Sequence, residues 1–160
     1  RASVYELLIE LVTAPQLCRD SITGMPHPAQ VRLSVNGDVM SGCGGDPERL
    51  ITGAEWVVDA IDGRGMVDKS RATFRFMSEG RIAGLGSCNR YAGQWVLSGE
   101  AFEIGKLAVT RKACPPELMD QENRFLRTLE SARAFDISPQ GALLIRADSP
   151  VPLRAFPAAP

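Results

Sequence analysis

The chain is short of the residues that enzymes and metal centres draw on. It has one histidine, His27, and none of its four cysteines stands in a C-x-x-C pair. A tetrahedral zinc site wants clustered thiolates or imidazoles, so no metal ligand set is assigned and no cofactor is expected. Ser70, Ser78, Ser87 and Ser98 lack the G-x-S-x-G frame of a nucleophile elbow. Neither sign of charge is in surplus: 18 basic residues face 19 acidic ones, for a net charge of −1. No basic excess draws the chain to nucleic acid or an anionic membrane surface, and no acidic block marks a disordered tail. No apolar run approaches the ~18 to 20 residues of a membrane-spanning helix.

What is present is a chain of 160 residues with 44 % hydrophobic content, enough for one ordinary domain or one domain plus a smaller piece. It opens on Arg1, and Val4 to Val12 is too short and too charged for a signal peptide. The expectation is a mature or excised product, with any export signal or lipid-anchoring cysteine upstream.

Periodicity points to strands almost throughout. Val4 to Thr13 is rich in Leu, Ile and Val and reads as a strand, followed by a polar loop from Ala14 to Ala29. Val31, Leu33 and Val35 alternate with polar residues up to Asn36-Gly37, a strong two-residue hairpin signal. The return strand runs from Asp38 to Ser41 and ends in Gly42-Cys43. After the Asp46-Pro47 connector, strands are expected at Glu55–Ile61, Ala72–Met77, Arg81–Leu85, Gln94–Leu97, Ala101–Ile104 and Leu107–Thr110. Turns fall at Asp62-Gly63, Glu79-Gly80 and Ser98-Gly99. Pro115 and Pro116 open a helix from about Glu117 to Ser131, with Leu118, Phe125, Leu126 and Leu129 on one face. Phe135–Ser138 and Ala142–Arg146 close the set, and Val151–Phe156 is expected as an edge strand because edges tolerate proline. The hairpins ending at Cys43 and Cys88 echo each other, since both return strands finish in glycine and cysteine.

The stretch Gly86-Ser87-Cys88-Asn89-Arg90-Tyr91-Ala92-Gly93 reads as a sharp, strained corner, because glycine and asparagine tolerate conformations that other residues avoid. No G-K-[ST] follows it and no helix starts there, which argues against a phosphate loop. Gly86, Cys88, Asn89, Tyr91 and Gly93 form a G-x-C-N-x-Y-x-G core. In order around it stand Trp56, the Thr73–Phe76 and Gly80-Arg81 lead-in, Thr110 and Cys114 as T-x-x-x-C, and Glu122, Phe125, Leu126 and Leu129 as E-x-x-F-L-x-x-L. Leu143 and Leu144 then fall in a closing strand. This ordered set, from about Thr52 to Phe156, resembles the META domain, the HslJ-like family. Together with the strand pattern it implies an α+β fold: mainly antiparallel sheet, as a partly closed barrel packed on one helix, preceded by a small β-unit. The domain is placed at 52–157 and the small unit at 1–46. The earlier run Cys18-Arg-Asp-Ser-Ile-Thr-Gly-Met-Pro-His-Pro, then a strand and Gly42-Cys43, resembles the end of a domain found before META domains in uncharacterised envelope proteins.

Glu122 points toward the apolar helix face. A buried carboxylate is paired or hydrogen-bonded, or it stays neutral. A structural acceptor is preferred to a general acid, because no motif brings a second carboxylate or nucleophile beside it. His27 between two prolines reads as a turn residue, Trp56 and Trp95 as core aromatics, and Tyr91 as core with a half-exposed contact as the alternative. The cysteines allow two readings, buried free thiols or two disulfides. In the second, locality favours Cys18–Cys43 and Cys88–Cys114, each closing about 25 residues, out of three possible pairings.

The resemblance implies an exported or membrane-linked, stress-associated bacterial protein of unresolved biochemistry, located in the periplasm or at the outer membrane. Three readings of function follow. The preferred one is a non-enzymatic envelope module for binding or structure, whose partner is an envelope protein or ligand. The second is an inhibitor or chaperone-like partner of an envelope hydrolase, which requires an exposed, apolar-tipped loop at Ile22–Pro28 or Arg64–Ser70. The third is an enzyme, for which the sequence offers no set of converging reactive groups.

Overall fold

A computed structural model describes residues 5–159. The chain divides between Leu50 and Ile51 into two compact units.

The first unit is built on a three-stranded antiparallel sheet in the order β1 (Ile9–Ala14), β4 (Ala29–Val35), β5 (Asp38–Gly44). Asn36 and Gly37 both take positive φ, 50° and 89°, and make the expected tight turn with Val35 opposite Asp38. The register gathers Ile9, Leu11, Val31, Leu33, Val35 and Met40 on one face. The region expected as loop contains a two-stranded ribbon, β2 (Cys18–Arg19) with β3 (Pro26–His27). Cys18 is bonded to Cys43, with Cα atoms 5.4 Å apart, so the ribbon is stapled to β5. The first strand starts at Ile9, later than the alternation suggested, and Val4 lies outside the described residues.

The second unit is a long antiparallel sheet that curls around one helix. Its strands are β6 (Glu55–Ile61), β7 (Arg64–Gly65), β8 (Thr73–Met77), β9 (Arg81–Leu85), β10 (Arg90–Leu97), β11 (Phe102–Ile104), β12 (Ala108–Val109), β13 (Ala134–Ile137), β14 (Leu143–Arg146) and β15 (Leu153–Pro157). The main path is β11-β10-β9-β8-β6-β15-β14-β13, with β12 paired to β10 and β7 to β6. The two ends approach through Phe102 and Phe135, whose ring centroids are 5.2 Å apart, without a ladder between them. The fold is α+β and the barrel nearly closed, as the strand pattern and the resemblance implied.

The expectation of an edge strand at Val151–Phe156 does not hold. The last strand is not an edge: β15 lies between β6 and β14. Its prolines sit where they do no harm to the ladders, Pro152 before the strand and Pro157 at its final position opposite Trp56.

The helix α1 (Pro116–Glu130) begins with proline at its first position, where a missing N–H costs nothing. It turns Gln121, Glu122, Phe125, Thr128 and Leu129 into the sheet. Phe125 lies 5.7 Å from Tyr91 and 6.4 Å from Phe74, centroid to centroid. Phe76 makes edge contacts with Phe74, Trp95 and Phe102. Such pairs add about 0.5–1.5 kcal/mol each beyond the area they bury. The indole N–H groups of both tryptophans are satisfied inside this layer, Trp56 on the Ile51 carbonyl and Trp95 on that of Arg81.

Candidate functional site

The motif residues converge on a polar knot between the β9–β10 corner, the segment after β12 and the helix. Gly86 N donates to the Asn89 carbonyl at 2.7 Å and closes the corner. Glu122, 2 % exposed, reaches into it from the helix. Its Oε1 accepts from the backbone N–H of Asn89 at 2.6 Å and of Cys88 at 3.2 Å, and its Oε2 accepts from Asn89 Nδ2 at 2.9 Å. Asn89 Oδ1 in turn accepts from Lys112 N at 2.6 Å and Thr110 Oγ1 at 3.0 Å, while Asn89 Nδ2 also donates to the Lys112 carbonyl at 3.3 Å. Cys88 and Cys114 are bonded, with Cα atoms 6.1 Å apart. A charged acceptor on two N–H groups and an amide is the arrangement that lets a carboxylate be buried.

The glycines of the motif answer to this packing. A Cβ on Gly86 would lie 2.7 Å from Glu122 Oε1, and one on Gly93 would lie 2.7 Å from Leu107 Cδ2. Tyr91 is buried in the core, where its hydroxyl donates to the Thr73 carbonyl at 2.6 Å. Burial pushes its phenol well above the ordinary tyrosine range. The strained position at the corner is Ser87, at φ 97°, and not Asn89, whose side chain is occupied by the knot.

Gln121, beside Glu122, escaped the sequence reading. It is 1 % exposed and ties two further loops: its Oε1 accepts from Val67 N at 2.8 Å, and its Nε2 donates to Ser70 Oγ and Ser87 Oγ at 2.9 and 2.8 Å. Its spacing, three after Leu118 and four before Phe125, was the available signal.

Between α1 and the segment after β12 lies a cleft of about 450 Å³, whose lining includes Val109, Arg111, Lys112, Met119, Asn123 and Leu126. In the first unit, a hollow of about 580 Å³ beside the Cys18–Cys43 bond is lined by residues that include Val12, Arg19, Gln30, Arg32 and Ser41. His27 is half-buried, its Nδ1 3.2 Å from the Gly45 carbonyl.

The two loops in question differ. Ile22 is 92 % exposed at the tip of a turn built on Asp20, whose Oδ1 accepts from Ile22 N, Thr23 N and Thr23 Oγ1. Those bonds, first that from Thr23 N, hold the Asp20 carboxyl below its ordinary range. Met25 and Pro26 beyond the tip are buried. The Arg64–Ser70 loop is not apolar-tipped: Arg64, Asp68 and Lys69 are outside, and Met66 and Val67 are half-buried. Among the described residues no His, Cys, Asp and Glu group is placed to hold a metal ion, and no helix is long and apolar enough to cross a membrane.

Two solved structures are similar in fold. An NMR structure of a protein from Burkholderia xenovorans is 19 % identical with a TM-score of 0.56, covering 70 % of this chain and 86 % of that one. A second NMR structure is 24 % identical with a TM-score of 0.56, covering 71 % and 95 %. No curated protein matches the chain. The family model of the META domain matches residues 49–160, the span that carries the barrel, the knot and the helix, and the chain therefore belongs to the META domain family.

Proposed function

We propose that the chain is a non-enzymatic binding module of the bacterial cell envelope that works outside the cytoplasm. The observation that carries this reading is the state of the family motif: both oxygens of Glu122 and the amide of Asn89 are consumed by bonds to each other and to the backbone. Such a motif holds loops in place and leaves no poised acid, base or nucleophile at its centre. Two disulfides support an oxidising compartment. A turnover abolished by Glu122→Gln in a folded protein would overturn the non-enzymatic reading.

Ile22 favours the narrower reading of an inhibitor-like or chaperone-like partner of an envelope hydrolase. A rigid turn, anchored beside a disulfide and tipped by an exposed apolar side chain, is an anchor pre-organised to enter a pocket on another protein. The test is affinity capture from an envelope extract with the intact chain and with Ile22→Asp as baits. A protein retained by the first and lost by the second supports the loop reading. The same set retained by both baits sinks it.

A further inference from the structure

We propose that the cleft between α1 and the Val109–Ala113 segment is a binding site for a single-chain aliphatic carboxylate, with its tail along Met119 and Leu126 and its head at Arg111 and Lys112. The inference rests on the binding-module reading and names a ligand class for it. It does not involve the Ile22 turn.

The helix carries two stripes. One packs into the sheet through Phe125 and Leu129. The other, Met119 and Leu126, is half-buried and lines the cleft with Val109. Seven residues separate Met119 from Leu126, about 10 Å along the axis, the reach of a medium-length acyl chain. Val109 pairs with Tyr91, whose ring lies on Phe125, while Lys112 is bonded to Asn89 beside Glu122. The cleft therefore has an apolar end at Val109 and Leu126 and a cationic end at Arg111 and Lys112.

The charges at that end are available. Glu122, the acidic residue in the lining, is turned away into its own bonds. Among the described residues neither Arg111 nor Lys112 has an ion-pair partner. The wall is also rigid before any ligand arrives, being tied by Asn89, Thr110 and the Cys88–Cys114 bond, which lowers the ordering cost of binding. Apolar walls with a few placed polar groups are the usual make-up of a small-molecule site. A peptide backbone is the poorer occupant. Both backbone groups of Lys112 and the N–H of Thr110 are already bonded, so fewer partners remain for a main chain.

The experiment is a titration of the intact, isotope-labelled chain with sodium octanoate, followed by amide shifts in two-dimensional NMR. The expected result is saturable shifts confined to residues 109–113, Met119, Asn123 and Leu126, with no such response to octyltrimethylammonium. The double variant Arg111→Glu, Lys112→Glu, whose side chains are exposed, should weaken octanoate at least tenfold. Absent or unsaturable shifts, an equal response to the cationic amphiphile, or unchanged affinity in the double variant would overturn the proposal. Tighter binding at the same residues by a peptide ending in leucine would also overturn it, assigning the cleft to a protein chain end. An empty cleft alongside Ile22-dependent capture would leave the binding-module reading standing.

Discussion

Glu122 and Asn89 are joined twice: the carboxylate takes the backbone N–H of Asn89 at 2.6 Å on one oxygen and its side-chain amide at 2.9 Å on the other. Removing the acceptor strands several buried donors at once, and each costs about 1–3 kcal/mol. Glu122→Leu is expected to destabilise the second unit by about 3–5 kcal/mol. Glu122→Gln, which keeps one acceptor oxygen, should cost about half as much. Urea unfolding followed by tryptophan fluorescence measures both, since Trp56 and Trp95 lie in that unit. Equal midpoints for wild type and Glu122→Leu would refute the structural role.

Gly86→Ala tests the same contact from the other side. A methyl 2.7 Å from Glu122 Oε1 must displace the carboxylate or the corner. The expected loss is about 1–3 kcal/mol. Combined with Glu122→Gln it should cost less than the sum of the two single changes, because both act on one bond set. Strict additivity in that double-mutant cycle would separate the glycine from the knot.

The two disulfides belong to different units, so their removal should separate experimentally. Cys88→Ala with Cys114→Ala should lower the stability of the second unit by about 3 kcal/mol on chain-entropy grounds, and leave Cys18–Cys43 intact. Non-reducing peptide mapping checks the pairing. A peptide linking Cys18 or Cys43 to Cys88 or Cys114 would contradict it.

Tyr91 predicts an alkaline limit. The unfolded phenol ionises near pH ~10, whereas burial raises the folded value well above that. Above pH ~10 the unfolded state therefore binds fewer protons than the folded one, and stability falls as pH rises. At neutral pH the effect is nil. In a Tyr5→Phe background Tyr91 is the remaining tyrosine of the two. Its tyrosinate absorbance should appear together with loss of near-ultraviolet dichroism. Ionisation while the fold persists would show the phenol to be accessible.

Local chemistry was legible in the sequence where it decides structure locally. Asn36-Gly37 and Asp62-Gly63 are both at positive φ in the turns they announced, and Phe74 and Phe76 face inward with Arg75 exposed between them as the period-two pattern required, while Thr73 is buried as well, its Oγ1 accepting from Leu85 N. The position of β15 was not legible, because proline argues only about ladder bonds, and Pro152 precedes the strand while Pro157 ends it. Gln121 was hidden by its residue type: glutamine is mostly exposed, and its burial depends on loops 34 and 54 residues away that supply its partners. The corner was legible as a strained one, but not that Ser87 is its positive-φ residue, with its hydroxyl accepting from Gln121, 34 residues away. The Cys43 and Cys88 hairpins, alike as strings, also part here. Cys43 sits in a ladder opposite Gln30, and Cys88 sits beyond one.

The seam between β6 and β15 joins the first strand of the second unit to its last, and Ala158 N still donates to the Glu55 carbonyl beyond the final pair. During synthesis this unit cannot finish its sheet until nearly its whole length has left the ribosome. Until then β6 and β14 each present an open edge, the form in which a nascent chain is most prone to pair with a stranger. Truncation near Pro152 should therefore cost far more than a few residues' worth of contacts, by trapping the rest of the barrel in its unzipped, sticky form.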